Sequence, residues 1–155
     1  MHKDKTPIFF SKFSSRSFTL IEIIIVIIIV GILAAVGITQ YALMVERGRT
    51  AEARLHIDTM RTLAHQYWLE NSDMTNIRNA DVGVDNTCRS TDFYKYYVNP
   101  ATNWVELVAF RCASGGKTPN ASRQYDIWLR YYPATGQSDW NCQYVDDMSF
   151  CSNLL

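Results

Sequence analysis

Ser15 to Tyr41 reads SRSFTLIEIIIVIIIVGILAAVGITQY. From Phe18 to Ile38 only Thr19, Glu22, Gly31 and Gly37 interrupt the apolar side chains. As a helix these 21 residues span about 31 Å at about 1.5 Å per residue. That matches a hydrocarbon core of about 30 Å. The single carboxylate in this run, Glu22, is the feature to be explained. A carboxylate deep in a bilayer costs on the order of 3 kcal/mol.

The chain has 155 residues and no formal net charge, but the charge is unevenly placed. Residues 1–17 carry Lys3, Lys5, Lys12 and Arg16 against Asp4, a net +3. The remainder carries 11 basic and 14 acidic side chains, 11 − 14 = −3. The basic flank before the apolar run predicts residues 1–17 in the cytoplasm and the bulk of the chain outside. A mildly acidic body argues against nucleic acid as a partner.

Three readings of the run compete. A secretory signal peptide accounts for the basic start, with Ala35-Val36-Gly37 as a cleavage site. The apolar stretch is longer than the usual 7–15 residues, however. A plain membrane anchor tolerates Glu22 if the side chain reaches the interface or the helix N-terminus. The third reading takes the whole string. Its basic leader, FTLIE and long apolar tract resemble the N-terminus of type IV pilins and pseudopilins.

That resemblance implies cleavage by a prepilin peptidase between Ser17 and Phe18, followed by N-methylation of Phe18. It implies that Glu22 pairs with the Phe18 amine of a neighbouring subunit in a growing filament. In a medium of low dielectric such a pair is worth more than at a surface. Two positions depart from the family pattern. Ser17 stands where glycine usually precedes the cut, and Thr39 stands where proline is common. Gly31 and Gly37 are the positions that would let the helix loosen without the proline.

Beyond Ile38 the pattern becomes amphipathic. Ala53, Ile57, Met60, Ala64 and Tyr67 follow steps of 4, 3, 4 and 3, which lays one apolar stripe along a helix. Glu46, Arg47, Arg49, Glu52, Arg54, Asp58 and Arg61 are assigned to its other sides. One helix is expected from about residue 19 to about residue 70, stopped by Asn71-Ser72-Asp73. It would be roughly 75–80 Å long. Its first half can be buried only by lipid or by other subunits.

Residues 72–102 are rich in Asn, Asp, Thr and Ser and read as a long connection. The cluster Phe93-Tyr94-Lys95-Tyr96-Tyr97 either packs locally, the favoured reading, or faces a neighbour. Trp104 to Cys112 reads as a strand. Tyr125, Ile127, Leu129 and Tyr131 alternate with Asp126, Trp128, Arg130 and Tyr132 in a second. Trp140, Cys142 and Tyr144 alternate in a third. The expectation is a three-stranded antiparallel meander, four-stranded if part of the 72–102 connection joins it.

The elements give the class α+β, and the resemblance implies the pilin fold. Its parts are a leader (1–17), a transmembrane or filament-core segment (18–38), the amphipathic half of the helix (39–71) and a globular head (72–155). Four cysteines, Cys88, Cys112, Cys142 and Cys151, lie on the exported side and predict two disulfides. Three connectivities exist, and proximity favours Cys142–Cys151 with Cys88–Cys112. The tail WNCQYVDDMSFCSNLL resembles the disulfide-bounded C-terminal loop of many pilins. There such a loop is displayed and helps determine subunit contacts and adhesion.

No catalytic constellation emerges. GxSxG, P-loop and HExxH strings are absent. His2 falls in the leader, and His56 and His65 are nine residues apart, about 180° around a helix. Asp146-Asp147 near Asp139 do not form an EF-hand pattern, and no CxxC spacing suggests zinc. Asn120-Ala121-Ser122 is a glycosylation triplet of a frequent kind. The expectation is no enzyme, no cofactor and no metal.

The resemblance implies a structural subunit of a type IV pilus, with a pseudopilin of a type II secretion or DNA-uptake system as the alternative. It implies an inner-membrane precursor, then an extracellular pilus or periplasmic pseudopilus. The partners implied are copies of the chain or other pilins, the prepilin peptidase, the membrane platform of the assembly machine and the lipid bilayer. A membrane-anchored enzyme or ligand-binding domain is the remaining competitor.

Overall fold

In the computed structural model, residues 18–121 and 124–144 are described. They fall into two units that divide between Tyr41 and Ala42. The first helix, α1 (Leu20–Asn71), runs for 52 residues. In the first unit every described large apolar side chain is exposed, from Phe18 at 77% to Ile38 at 69%. The apolar stretch of α1 is long and hydrophobic enough to cross a membrane.

The second unit is built on the amphipathic half of α1. Ala53, Ile57, Met60 and Ala64 are buried, and Tyr67 packs at the margin of the same core. α1 ends where Ser72 turns into left-handed backbone (φ 56°). Its amide still donates to the Trp68 carbonyl at 2.7 Å, and the Asn71 side-chain amide donates to the Tyr67 carbonyl at 2.9 Å. These bonds satisfy carbonyls that the last turn would otherwise leave unpaired.

Four strands follow: β1 (Tyr94–Pro100), β2 (Val105–Arg111), β3 (Tyr125–Tyr132) and β4 (Gln137–Tyr144). They form one antiparallel sheet in the order β1-β2-β3-β4. β1 pairs with β2 in the register Tyr96↔Ala109. β2 pairs with β3 as Leu107↔Leu129, and β3 with β4 as Leu129↔Trp140. Tyr125, Ile127, Leu129 and Tyr131 turn inward and their neighbours turn out, the period of two of a half-covered sheet. The β3–β4 turn closes through the Gly136 amide, which donates to the Tyr132 carbonyl at 2.8 Å. Gly136 sits at φ +73°, a conformation that glycine adopts without steric cost.

The optional fourth strand is real, and β1 supplies it. The tyrosine cluster packs locally: Tyr94 and Tyr96 are buried and Tyr97 is half-buried. β2 begins at Val105 rather than Trp104, and β4 begins at Gln137 rather than Trp140. The connection before β1 is also more ordered than its composition implies. Met74, Ile77 and Val82 enter the core, and Asn79–Val82 form one turn of 3-10 helix. The Asn79 side-chain oxygen accepts from the Val98 amide at 2.9 Å. That covers part of the β1 edge, which would otherwise expose unpaired backbone groups.

Candidate functional site

The processing region begins at Phe18. Ser17 lies outside the described residues, so the cleavage expected between Ser17 and Phe18 has no local geometry to report. Immediately after it, Thr19 and Glu22 close the first turn of α1. One Glu22 carboxylate oxygen accepts from the Thr19 amide and from the Thr19 hydroxyl, each at 2.8 Å. The Glu22 amide donates back to the Thr19 hydroxyl oxygen at 3.4 Å. This is a capping box, a Thr-x-x-Glu arrangement that satisfies otherwise unpaired amides at a helix start. The quartet Thr19-Leu20-Ile21-Glu22 carries that signature in sequence.

A second polar site lies inside the head. Glu46, assigned from sequence to a polar side of α1, is 4% exposed. The reason is helical phase. Stepping back from Ala53 by three and then four residues gives Thr50 and Glu46, so the buried stripe continues through two polar side chains. Thr50 is 2% exposed and its hydroxyl donates to the Arg47 carbonyl at 2.8 Å.

Glu46 is held by three donors. Arg111 Nε reaches one carboxylate oxygen at 2.7 Å, and the Tyr125 hydroxyl donates to the same oxygen at 2.9 Å. Arg49 donates to the other oxygen at 2.6 Å. Arg111 occupies an inward position of β2, in phase with Val105, Leu107 and Ala109, and is fully buried. Its remaining guanidinium nitrogens donate to the Phe93 and Thr118 carbonyls, both at 2.8 Å. The Tyr94 and Tyr125 hydroxyls lie 2.6 Å apart. One ion pair thereby ties α1 to β2, β3, the start of β1 and the loop after β2.

Burial raises the affinity of the Glu46 carboxylate for a proton. The hydrogen bond and charge of Arg111, with the bonds from Tyr125 and Arg49, outweigh it and leave the group below its ordinary range. The Tyr125 phenol is pushed far upward by burial and by the neighbouring Tyr94 and Glu46. A fixed carboxylate surrounded by donors that keep their protons is a structural clamp rather than an acid–base pair.

Cys88 and Cys112 form a disulfide, as proximity suggested. Cys142 is also disulfide-bonded, and Cys151 lies outside the described residues, as do Asp146 and Asp147. The Cys88–Cys112 bond fixes the end of the long connection against the end of β2. Gly116 lies against it: a Cβ there would stand 2.5 Å from the Cys112 Cβ and 3.0 Å from the Asp92 carbonyl oxygen.

The two head histidines serve opposite flanks. His56 stacks on Tyr96 at 4.7 Å between ring centroids, while His65 Nδ1 lies 2.8 Å from the Tyr131 hydroxyl. A cavity of about 310 Å³ is lined by Arg61, Thr62, His65, Tyr131 and Gly136. Among the described residues no group of three or more His, Cys, Asp or Glu is placed to hold a metal ion.

The fold and the capped N-terminal helix coincide with clear sequence relatives. Residues 12–38 match the family model described as the prokaryotic N-terminal methylation motif. A fimbrial protein of Neisseria meningitidis serogroup A / serotype 4A (strain DSM 15465 / Z2491) is 37% identical over 129 residues, covering 82% of this chain and 72% of that protein. Two proteins named type IV major pilin protein PilE1, from Neisseria gonorrhoeae, are each 30% identical and cover 82% of this chain. The matches span 57% of one and 74% of the other. The chain belongs to the type IV pilin family.

Proposed function

We propose that this chain is a structural subunit of a type IV pilus. It is made as a single-pass inner-membrane precursor with residues 1–17 in the cytoplasm. A prepilin peptidase cuts between Ser17 and Phe18, Phe18 is N-methylated, and a membrane platform extracts the product into a filament of like subunits or mixed pilins. The observation that carries this reading is the exposed apolar surface of α1 up to Ile38, in a chain of the pilin family. Such a surface is stable only in lipid or against other apolar helices.

Within that reading Glu22 has two successive partners. In the uncut chain it caps its own helix through Thr19. After cleavage the new Phe18 ammonium of an adjoining subunit becomes the competing partner, and a pair formed away from water fixes subunit register.

The test combines electron microscopy of expressing cells with mass spectrometry of sheared surface fibres. The expected fibre protein is residues 18–155 plus one methyl group, less four hydrogens for two disulfides. A start near Ile38 would instead mark a signal peptide, and an intact 1–155 chain a plain anchor. Glu22→Ala is expected to give cleaved, membrane-inserted protein with fibre yield lowered about ten-fold or more. Wild-type fibre yield from that variant would remove the pairing.

A further inference from the structure

The cavity between α1 and the β3–β4 turn has no part in the filament reading. It measures about 310 Å³ and is lined by Arg61, Thr62, His65, Tyr131 and Gly136. That volume lies at the lower end of the about 300–1,000 Å³ of small-molecule sites. Arg61 and His65 are four residues apart on α1, so they stand one above the other on the same face. Tyr131 comes from an inward position of β3. The space beside Gly136 is open, because a Cβ there would meet nothing within 4 Å.

The polar groups of this lining are donors without an acceptor. Arg61 makes no hydrogen bond to any described residue. Its ion pair among the described residues is with Asp58 at 3.8 Å, and the two side chains are 42% and 50% exposed. Exposed pairs of this kind contribute little, so the guanidinium stays available. The Tyr131 hydroxyl lies 2.8 Å from His65 Nδ1. Burial holds this phenol above its ordinary value, against the charge of Arg61. It therefore keeps its proton and donates to Nδ1, and the neutral imidazole carries its own proton on Nε2. Nε2–H adds a second donor to the lining. The Thr62 hydroxyl is already engaged with the Asp58 carbonyl at 3.1 Å, and the Gly136 amide with the Tyr132 carbonyl at 2.8 Å. Among the described residues no acid lines the cavity, and residues 133–138 carry no charged side chain.

Donors without acceptors are the complement of an oxyanion. The planar fork of an arginine meets a phosphate or a carboxylate through two parallel bonds. Charge decides between the two. The ligand must hold Arg61 against Asp58, itself a carboxylate, so a single carboxylate gains little by the exchange. A phosphomonoester carries about −1.5 to −2 at pH 7 and three strong acceptor oxygens, enough to engage Arg61 and His65 together. The cavity leaves room for the organic group that bears the phosphate.

We propose that this cavity binds the phosphate of a small phosphomonoester, held by the Arg61 fork and by His65 Nε2–H. The site is independent of the filament reading and belongs equally to a chain that never polymerises.

The test is isothermal titration calorimetry of the full-length chain in detergent micelles and phosphate-free buffer, with phenyl phosphate as the probe. One-to-one binding with a Kd below about 1 mM is expected. Benzoate and dimethyl phosphate, both single anions, are expected to bind at least about ten-fold more weakly. Arg61→Gln is expected to weaken phenyl phosphate about ten-fold or more, and Arg61→Lys by less, because it keeps the charge without the fork. His65→Phe, which keeps a ring but removes the donor, is expected to weaken it about three-fold or more. Amide resonances that shift on titration are expected at Thr62, His65 and Gly136. Near-UV circular dichroism establishes that each variant is folded; where His65→Phe does not fold, the two Arg61 variants decide. Absence of saturable binding, equal binding of benzoate or dimethyl phosphate, or wild-type affinity in Arg61→Gln each overturns the proposal and leaves the pilus reading untouched.

Discussion

Glu46→Gln tests whether the head is held together by its internal ion pair. The substitution keeps the size and one acceptor oxygen but removes the charge facing Arg111, a side chain with no solvent exposure. Two arginines, Arg49 and Arg111, are then left beside a neutral amide. Breaking a buried pair from one side costs about 3–5 kcal/mol because the surviving charge is uncompensated. Arg111 retains its bonds to the Phe93 and Thr118 carbonyls, so the lower part of that range, about 3.5 kcal/mol, applies. The second unit has 114 residues, 155 − 41. At about 2.1 cal/mol/K per residue its unfolding entropy is about 0.24 kcal/mol/K, so the midpoint falls by about 15 °C. The measurement is thermal and urea unfolding of the processed chain in detergent micelles, followed by near-UV circular dichroism. The paired variant Glu46→Met with Arg111→Met removes both charges. It is expected to cost less than the sum of the two single changes by at least about 1 kcal/mol. A loss below about 1 kcal/mol for Glu46→Gln, or strict additivity in the cycle, would refute the clamp.

Other consequences follow from the same geometry. The Glu46 carboxyl sits below its ordinary value of 4.5, so its contribution is present above about pH 4.5 and is lost as pH falls through the lower folded value. Unfolding curves against pH are expected to show an acid limb that is blunted in Glu46→Gln. Replacing Cys88 and Cys112 by Ser opens a loop with a sequence separation of 24, which costs about 3–4 kcal/mol in the chain-entropy model. Urea midpoints under non-reducing conditions check this. Gly116→Ala forces a Cβ into Cys112 and the Asp92 carbonyl, and a loss of about 1–3 kcal/mol is expected in the same assay.

The sequence by itself determined the elements whose physics is local. A 21-residue apolar run can only seek lipid or other apolar helices, and the 4-3-4-3 stripe placed Ala53, Ile57, Met60 and Ala64 on one face before any sheet was known. Alternation placed β3 at Tyr125–Tyr132. The tertiary structure decided what local pattern cannot encode. Met74, Ile77 and Val82 are scattered among polar residues, and only the neighbouring surface of α1 and the sheet makes them core. Glu46 and Arg111 are 65 residues apart; each alone reads as a solvated charge, and burial becomes tolerable only when the other is brought within hydrogen-bond reach.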